Sequence, residues 1–319
     1  LRILVTGGAG FIGSTVANRL TELDHEVAVF DDLSTGFREF VPERARFDQG
    51  DLADAHAIDR CIAEFRPEVV SHHAAQIDVR KSVERPSDDA RTNVLGGIAL
   101  LESCTRHGVR KVIYASTGGA IYGEGRTLPA NEDHPVNPES PYGVSKHTVE
   151  HYLHFWNLVH RLDYTALRYP NVYGPRQNPH GEAGVNAIFI GLMLEGRTPR
   201  IFGDGTQVRD YLYVDDVVEA NVLALTRGSG RILNLGTGIG VSVNDIVREL
   251  NAILGTRLVP THEAARPGEI QRIYLDASRA AEELGWRPRV PFREGLGRTV
   301  EWFRKRAAEP TGVPWERRS

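Results

Sequence analysis

A glycine-rich turn near the start of the chain limits its fold more than any other feature. Arg2-Ile3-Leu4-Val5-Thr6 is apolar and β-branched and stops at glycine, which predicts a short buried strand. Phe11 to Leu20 places Ile12, Val16 and Leu20 on one helical face. Between them stands Gly7-Gly8-Ala9-Gly10-Phe11-Ile12-Gly13. Strand, glycine turn and helix form the setting in which a dinucleotide pyrophosphate docks at a helix N-terminus. There Gly7 allows the tight turn, Gly10 lets the backbone approach phosphate, and Gly13 lets helix and strand pack closely. Gly7, Gly10, Phe11, Ile12 and Gly13 are the predicted cofactor contacts of this turn.

The second strand, Glu26 to Phe30, ends at Asp31-Asp32. A carboxylate at this position accepts both ribose hydroxyls of an adenosine and repels a 2′-phosphate. No arginine follows directly, so the expectation is NAD rather than NADP, with Asp31 as ribose ligand. The alternatives are that Asp32 is the ligand, or that both residues cap the following loop. A third strand, Ala45 to Gln49, leads to Gly50-Asp51-Leu52. The βα rhythm continues with strand Val69-Val70-Ser71 leading into His72-His73-Ala74-Ala75, and with a helix over Arg91 to Arg106. Strand Lys111 to Ala115, helix Tyr142 to His160 and strand Tyr164 to Arg168 follow. This alternation predicts an α/β fold, a Rossmann-type doubly wound parallel sheet. After residue 170 the pattern turns irregular, with Pro175, Pro179, Gly181 and Gly184 and helices over Asp216–Thr226, Val243–Leu254 and Ser278–Leu284. Residues 1–170 are therefore read as the dinucleotide-binding domain, with segments near 210–250 returning to it. Residues 171–319 are read as mainly a smaller, mixed α/β substrate lobe interleaved with the first.

Composition excludes several classes. A net charge of −4 gives no basic field for nucleic acid or anionic lipid. No apolar stretch is long enough to span a bilayer, and Cys61 and Cys104 make no disulfide framework. A reducing cytoplasm is the expected location. His72-His73 is a poor metal site, because adjacent histidines on a strand point apart, and no metal is expected. Asp215-Asp216 is read as the cap of the helix that follows, and Glu309–Ser319 as a mobile end.

The chemistry centres on Tyr142-Gly143-Val144-Ser145-Lys146. A free tyrosine has a pKa of about 10 and is a weak base at neutral pH. Lys146, one helical turn later, lies on the same face. Its cation, with a positive nicotinamide ring, favours the phenolate. The pair starts a helix just after Pro141 and follows a strand that ends in Ser116-Thr117-Gly118-Gly119.

The longer G-x-x-G-x-x-G spacing resembles that of the short-chain dehydrogenase/reductase superfamily. Over essentially the whole chain the sequence is similar to the UDP-galactose 4-epimerases of its extended branch. Ser116-Thr117-Gly118-Gly119-Ala120-Ile121-Tyr122-Gly123 resembles that family's S-S-S-A-x-V-Y-G segment. Aligned on Tyr122-Gly123, the family's catalytic serine falls on Gly118, so Thr117 is the expected hydroxyl and Ser116 the fallback. The resemblance implies that Asp51 and Leu52 hold the adenine and that Asn93 lies near the nicotinamide. Ala74 and Tyr169 are further implied cofactor contacts. It also implies that Asn171, in Tyr169-Pro170-Asn171-Val172-Tyr173-Gly174-Pro175-Arg176, touches the substrate diphosphate. Arg209, in the Phe202 to Tyr211 stretch, pairs with that diphosphate. In Arg266-Pro267-Gly268-Glu269 the arginine grips phosphate and the acid accepts uridine ribose hydroxyls. Such arginines fork onto phosphate oxygens.

The resemblance implies a homodimeric enzyme that interconverts UDP-galactose and UDP-glucose. Tyr142 takes the 4′-hydroxyl proton, hydride passes to bound NAD, the 4-keto sugar turns, and hydride returns to its other face. Dehydratases and decarboxylases of nucleotide sugars carry acidic residues where this chain has Gly118-Gly119. Ile273 aligns with the position that limits N-acetylated sugars and is of intermediate size. UDP-N-acetylhexosamines or UDP-uronic acids are the alternative substrates, and a non-catalytic NAD-binding relative is the alternative role. Leu95, Leu100, Tyr152 and Phe155 are the candidate dimer contacts.

Overall fold

The computed structural model describes residues 1–180, 184–266 and 268–309. The chain begins β1 (Arg2–Thr6), α1 (Phe11–Glu22), β2 (Glu26–Asp31), β3 (Arg46–Gln49), α2 (Ala55–Phe65) and β4 (Val69–His72). Two short helices, α3 (Val79–Glu84) and α4 (Pro86–Ala90), lead through a π-helical turn at Arg91–Leu95 into α5 (Gly96–Arg106). Then come β5 (Lys111–Thr117), the single turn α6 (Gly118–Ile121), α7 (Pro141–His160) and β6 (Asp163–Tyr169). The remainder is β7 (Asn171–Tyr173), α8 (Val185–Leu194), β8 (Arg200–Phe202), β9 (Val208–Arg209), β10 (Tyr211–Tyr213) and α9 (Val214–Ala224). It closes with β11 (Arg231–Asn234), β12 (Val241–Ser242), α10 (Val243–Leu254), β13 (Thr261–Glu263), β14 (Arg272–Ile273), α11 (Ser278–Glu283) and α12 (Phe292–Ala308).

Seven strands form one sheet in the order β11-β6-β5-β4-β1-β2-β3, and every pairing in it is parallel. A parallel sheet needs helices on both faces, so its central strands are largely apolar and buried. On one face Ile3, Val5 and Val29 pack against Val16 and Leu20 of α1 and Val217 of α9. On the other, Leu4, Val70 and Val112 meet Ile58 and Ile62 of α2, Leu100 and Leu101 of α5, and Val149 and Leu153 of α7. β11 returns to pair with β6 after some sixty residues of intervening chain and forms that edge of the sheet. A separate core joins Phe189 and Ile190 of α8, Ile246 and Leu250 of α10, and Val300 and Phe303 of α12. Among the described residues no helix is long and apolar enough to cross a membrane.

Three expectations need correction. The helix read over Arg91–Arg106 carries a π turn in its first third, which turns Asn93 inward. Asp215 and Asp216 lie inside α9 and do not cap it. The Asp216 carboxylate instead accepts from the Arg289 and Val290 backbone N–H groups and pins the approach to α12. Leu100 is fully buried in the sheet-side core, so it is no dimer contact, whereas Leu95 and Phe155 are exposed and Tyr152 is half-buried. Of the expected mobile end, only Glu309 falls among the described residues.

One buried ion pair ties α7 to the sheet. Arg168 of β6 donates from Nε and Nη2 to the two Glu150 oxygens at 2.9 and 2.7 Å. Ser116 Oγ of β5 and His147 Nδ1 also donate to Glu150, at 2.6 and 2.9 Å. Arg168 Nη1 reaches the Tyr122 hydroxyl, which donates to Asn234 Oδ1 of β11 at 2.7 Å. Burial opposes ionisation of Glu150, but the Arg168 and His147 hydrogen bonds outweigh it and hold its pKa down at about 2. A depressed carboxyl contributes stability above its unfolded value, near 4.3, and loses it as pH falls toward 2. Urea unfolding is therefore expected to show stability falling through that acid window. Glu150→Ala, which strands the Arg168 cation, is expected to cost about 3–5 kcal/mol at neutral pH.

Candidate active site

The glycine turn has no room for side chains. Gly7 has φ +67°, and a Cβ there would lie 2.6 Å from the Ala74 nitrogen. At Gly13 a Cβ would lie 2.2 Å from the Gly7 carbonyl oxygen. Gly10 is the N-cap of α1 and makes no side-chain cap, so the N–H groups of Phe11 and Ile12 face the open end of the turn. The Asp31 carboxylate ends β2 beside this turn, accepting from Ala9 N at 2.9 Å and Leu33 N at 2.8 Å. Asp32 instead closes its own loop by accepting from Ser34 N and Oγ. Of the two carboxylates, Asp31 is the one joined to the glycine turn. Asp51 is exposed in the loop after β3, while the Leu52 side chain is buried where a Gly96 Cβ would otherwise sit. Any contact from Leu52 to a ligand is therefore left to its backbone.

The next strand ends lie alongside. Thr6 Oγ1 bonds His72 Nδ1 at 2.7 Å and accepts from Ala74 N at 3.2 Å, fixing the start of the loop after β4. His73 turns the other way, onto Ser71. Burial, with the Lys146 charge, lowers both imidazole pKa values to about 3, so both are neutral. Asn93 holds that same loop: its Oδ1 accepts from Gln76 N, and its Nδ2 donates to Gln76 O and to the buried Asp89. Its amide is thus spent on the protein, and its influence on a ligand passes through residues 74–78. Tyr169 stacks on His73, and its hydroxyl accepts from Asn221 of α9.

Ser140 caps α7 by accepting from Gly143 N at 3.2 Å, and Pro141 begins the helix. Tyr142 therefore stands on the first turn, its backbone N–H donating to Ser82 Oγ. Lys146 is buried one turn on, donating to the Ala115 carbonyl at 2.8 Å and lying over the Tyr114 ring at 4.9 Å. Burial lowers its pKa to about 8 against the pull of Asp89 and Glu150, which leaves it a cation at neutral pH. Ser145, between them, donates to Asp89 and locks the helix face that carries both.

The two candidate hydroxyls at the end of β5 point to opposite faces. Ser116 is committed to Glu150, as described above. Thr117 Oγ1 faces the notch left by Gly119, where a Cβ would lie 3.9 Å from it and 3.5 Å from Asn171 Oδ1. Thr117, Gly119 and Asn171 thus border one space.

The second lobe brings Arg209 next to Asn171 through Asp210, whose carbonyl accepts from Asn171 N. Arg209 Nη1 donates to the Val208 carbonyl. Arg266 is exposed and stacks over Phe202 at 3.9 Å, and Glu269 follows on a half-buried turn. Pro267 lies outside the described residues. Ile273 is packed in a closed cluster with Ile121, Tyr122, Ala130 and Leu275, so its side chain backs the wall and lines no open pocket. Sequence reasoning missed Asp89, Asp210 and Leu275. Only Asp210 left a trace, as the acid of the Arg209-Asp210-Tyr211 run. Among the described residues no cluster of three or more metal-ligating side chains occurs.

Residues 3–236 match the model of the NAD dependent epimerase/dehydratase family. The chain belongs to that family. Its cofactor is NAD, and it is an enzyme of the extended short-chain dehydrogenase/reductase superfamily. It is 45% identical over 312 residues to a UDP-glucose 4-epimerase of Mycolicibacterium smegmatis, covering 96% of this chain and 100% of the relative. The structure of a Thermotoga maritima UDP-glucose 4-epimerase with UDP-glucose superimposes with a TM-score of 0.94 at 48% identity, over 96% of this chain and 99% of that one. A Thermus thermophilus UDP-glucose 4-epimerase in complex with NAD gives 0.90 at 46% identity, over 95% and 99%. The glycine turn, which side chains would fill, and the adjacent carboxylate of Asp31 fit a dinucleotide. Gly13→Ala is expected to weaken NAD retention at least about tenfold, or about 1.4 kcal/mol. The check is the nucleotide released on denaturing the purified protein.

Proposed function

We propose that this chain interconverts UDP-galactose and UDP-glucose with NAD retained through the cycle. The observation that carries this reading is the end of β5. Tyr142 and Lys146 stand on α7 beside it, and the following residues, Gly118 and Gly119, offer no acid or base. Elimination or decarboxylation asks for such a group there, whereas epimerisation at C4 needs only one proton acceptor and donor. The names of the relatives and structures that cover nearly the whole chain support the same substrate pair.

When bound, NAD supplies a reversible hydride acceptor. Gly7, Gly10, Phe11, Ile12 and Gly13 hold its pyrophosphate with main-chain groups, and Asp31 accepts from its ribose. Asp51, Leu52, Ala74, Asn93 and Tyr169 shape the rest of its bed, Leu52 through backbone and Asn93 through the Gln76 loop. Tyr142 takes the proton from the 4′-hydroxyl and later returns it. Lys146, held on the Ala115 carbonyl with two N–H directions left, keeps positive charge beside that phenol. Thr117 shares the same sugar oxygen by hydrogen bond. Asn171, Arg209 and Arg266 hold the diphosphate and Glu269 the uridine ribose, so the oxidised sugar turns about its phosphate linkage while its nucleotide stays fixed. Arg266 leaves its stack on Phe202 to do so.

The active form is a homodimer on this reading. Leu95 beside α5 and Val144, Phe155, Leu158 and Val159 of α7 are exposed apolar residues on neighbouring helices. The two buried free thiols suit a reducing cytoplasm.

The deciding measurement is conversion of UDP-galactose to UDP-glucose by the purified protein with no NAD added. Turnover is expected. Tyr142→Phe is expected to lower kcat by about 10²–10⁴-fold and Thr117→Val by about 10-fold or more, with little change in KM. Unchanged kcat in Tyr142→Phe would overturn the mechanism.

A further inference from the structure

The turn that carries Thr117 has a neighbour that neither its sequence position nor the chemistry above accounts for. Leu275 is fully buried, and its side chain occupies the place where any side chain at residue 118 would begin. A Cβ on Gly118 would lie 2.4 Å from Leu275 Cδ1, 3.2 Å from Cδ2 and 3.4 Å from Cγ. Real Cβ atoms do not approach so closely, so a side chain at residue 118 requires the buried Leu275 Cδ atoms to shift.

Leu275 is itself held on two sides. Its backbone N–H donates to Asp210 Oδ2 at 3.1 Å. On its other side the chain pairs with residue 130: Ala130 N donates to the Tyr274 carbonyl and Asp276 N to the Ala130 carbonyl, each at 2.9 Å. Asp210, almost wholly buried, also accepts from the Thr237 and Gly238 N–H groups and from the Thr237 hydroxyl. Gly236 fits between Asp210 and Leu275, where a Cβ would be 2.7 Å from Asp210 Oδ2 and 2.8 Å from Leu275 Cβ. The wall behind Gly118 is therefore a braced element, with little freedom to follow the turn.

Thr117 gains its direction from that wall. Ser116 is fixed inward by Glu150, and Gly118 is pressed against Leu275, so the hydroxyl between them is aimed at the Gly119–Asn171 notch. We propose that Leu275, braced by Asp210, is a positioning residue for the Thr117 hydroxyl, and that its packing on Gly118 makes residue 117 the one that presents an oxygen to the sugar. This inference rests on the reading of Thr117 given above.

The test is a double-mutant cycle on the holoenzyme with Gly118→Ala, Leu275→Val and their combination, with Thr117→Val in parallel. For each, kcat and KM for UDP-galactose, bound NAD and the thermal midpoint are measured. Gly118→Ala is expected to lower kcat at least 10-fold, with KM and bound NAD within 2-fold of the parent. Leu275→Val, which withdraws the Cδ atoms, is expected to lower kcat several-fold on its own. The double variant is expected to recover at least 5-fold over Gly118→Ala, a sign of relieved contact that loss of general stability would not give. Should Gly118→Ala fail to accumulate as folded protein, Leu275→Val decides alone, and parental kcat in it overturns the proposal. A double variant no faster than Gly118→Ala, with full NAD, also overturns it. If Thr117→Val keeps full kcat, the Thr117 reading fails and this inference falls with it. If Thr117→Val is impaired while Gly118→Ala and Leu275→Val are both fully active, the reading stands and only the role of Leu275 is lost.

Discussion

The Glu150–Arg168 pair is the interaction on which the geometry of this site depends. Glu150 lies one turn beyond Lys146 on α7, Arg168 stands near the end of β6, and Ser116 stands next to Thr117 on β5. One carboxylate therefore sets the register of the helix that carries Tyr142 and Lys146 against the strand that carries the hydroxyl. The gain is in definition more than in net energy, because two desolvated charges recover little beyond their burial cost. Both Glu150 oxygens and each guanidinium nitrogen of Arg168 have a named partner, and the network joins α7, β5, β6 and, through Tyr122, β11, so it favours a single arrangement.

Around this pair the site separates charge from neutrality. His72, buried, and His73, half-buried, are neutral, whereas Lys146 stays cationic because Asp89 and Glu150 oppose its desolvation. The Lys146 charge is thus held in one place, on the Ala115 carbonyl and over the Tyr114 ring. On the cofactor side the protein offers mostly backbone: the glycine turn, the open first turn of α1 and a loop held by Asn93 and Thr6.

The parts legible in the sequence are those whose constraint is local. The glycine turn announces itself because steric limits act within a few residues, and Tyr142 with Lys146 because one helical turn joins them. The positions of the first six strands followed from the βα alternation, to within a residue or two at most ends. What stayed hidden was long-range. Asp89 meets Ser145 across 56 positions and Asp210 meets Leu275 across 65, and no periodicity records such pairs. Side-chain direction was also lost where it depends on packing. Leu100 and Ile273 are apolar in either setting, and only the neighbouring elements decide that they face inward. Asp216 resembled a cap because acids favour first turns, and its real partners are 73 and 74 residues away.

The late return of β11 bears on how the chain is made. β6 is complete at Tyr169, but the strand that covers its outer edge ends at Asn234. During synthesis the sheet thus has an uncovered row of backbone donors and acceptors along β6 while the next sixty residues emerge. That row follows an apolar stretch, Tyr164 to Leu167, which is buried in the finished molecule. An open edge of this kind recruits other strands. The nascent chain is most exposed to misassociation in this interval, and the pairing of β11 with β6 is what ends it.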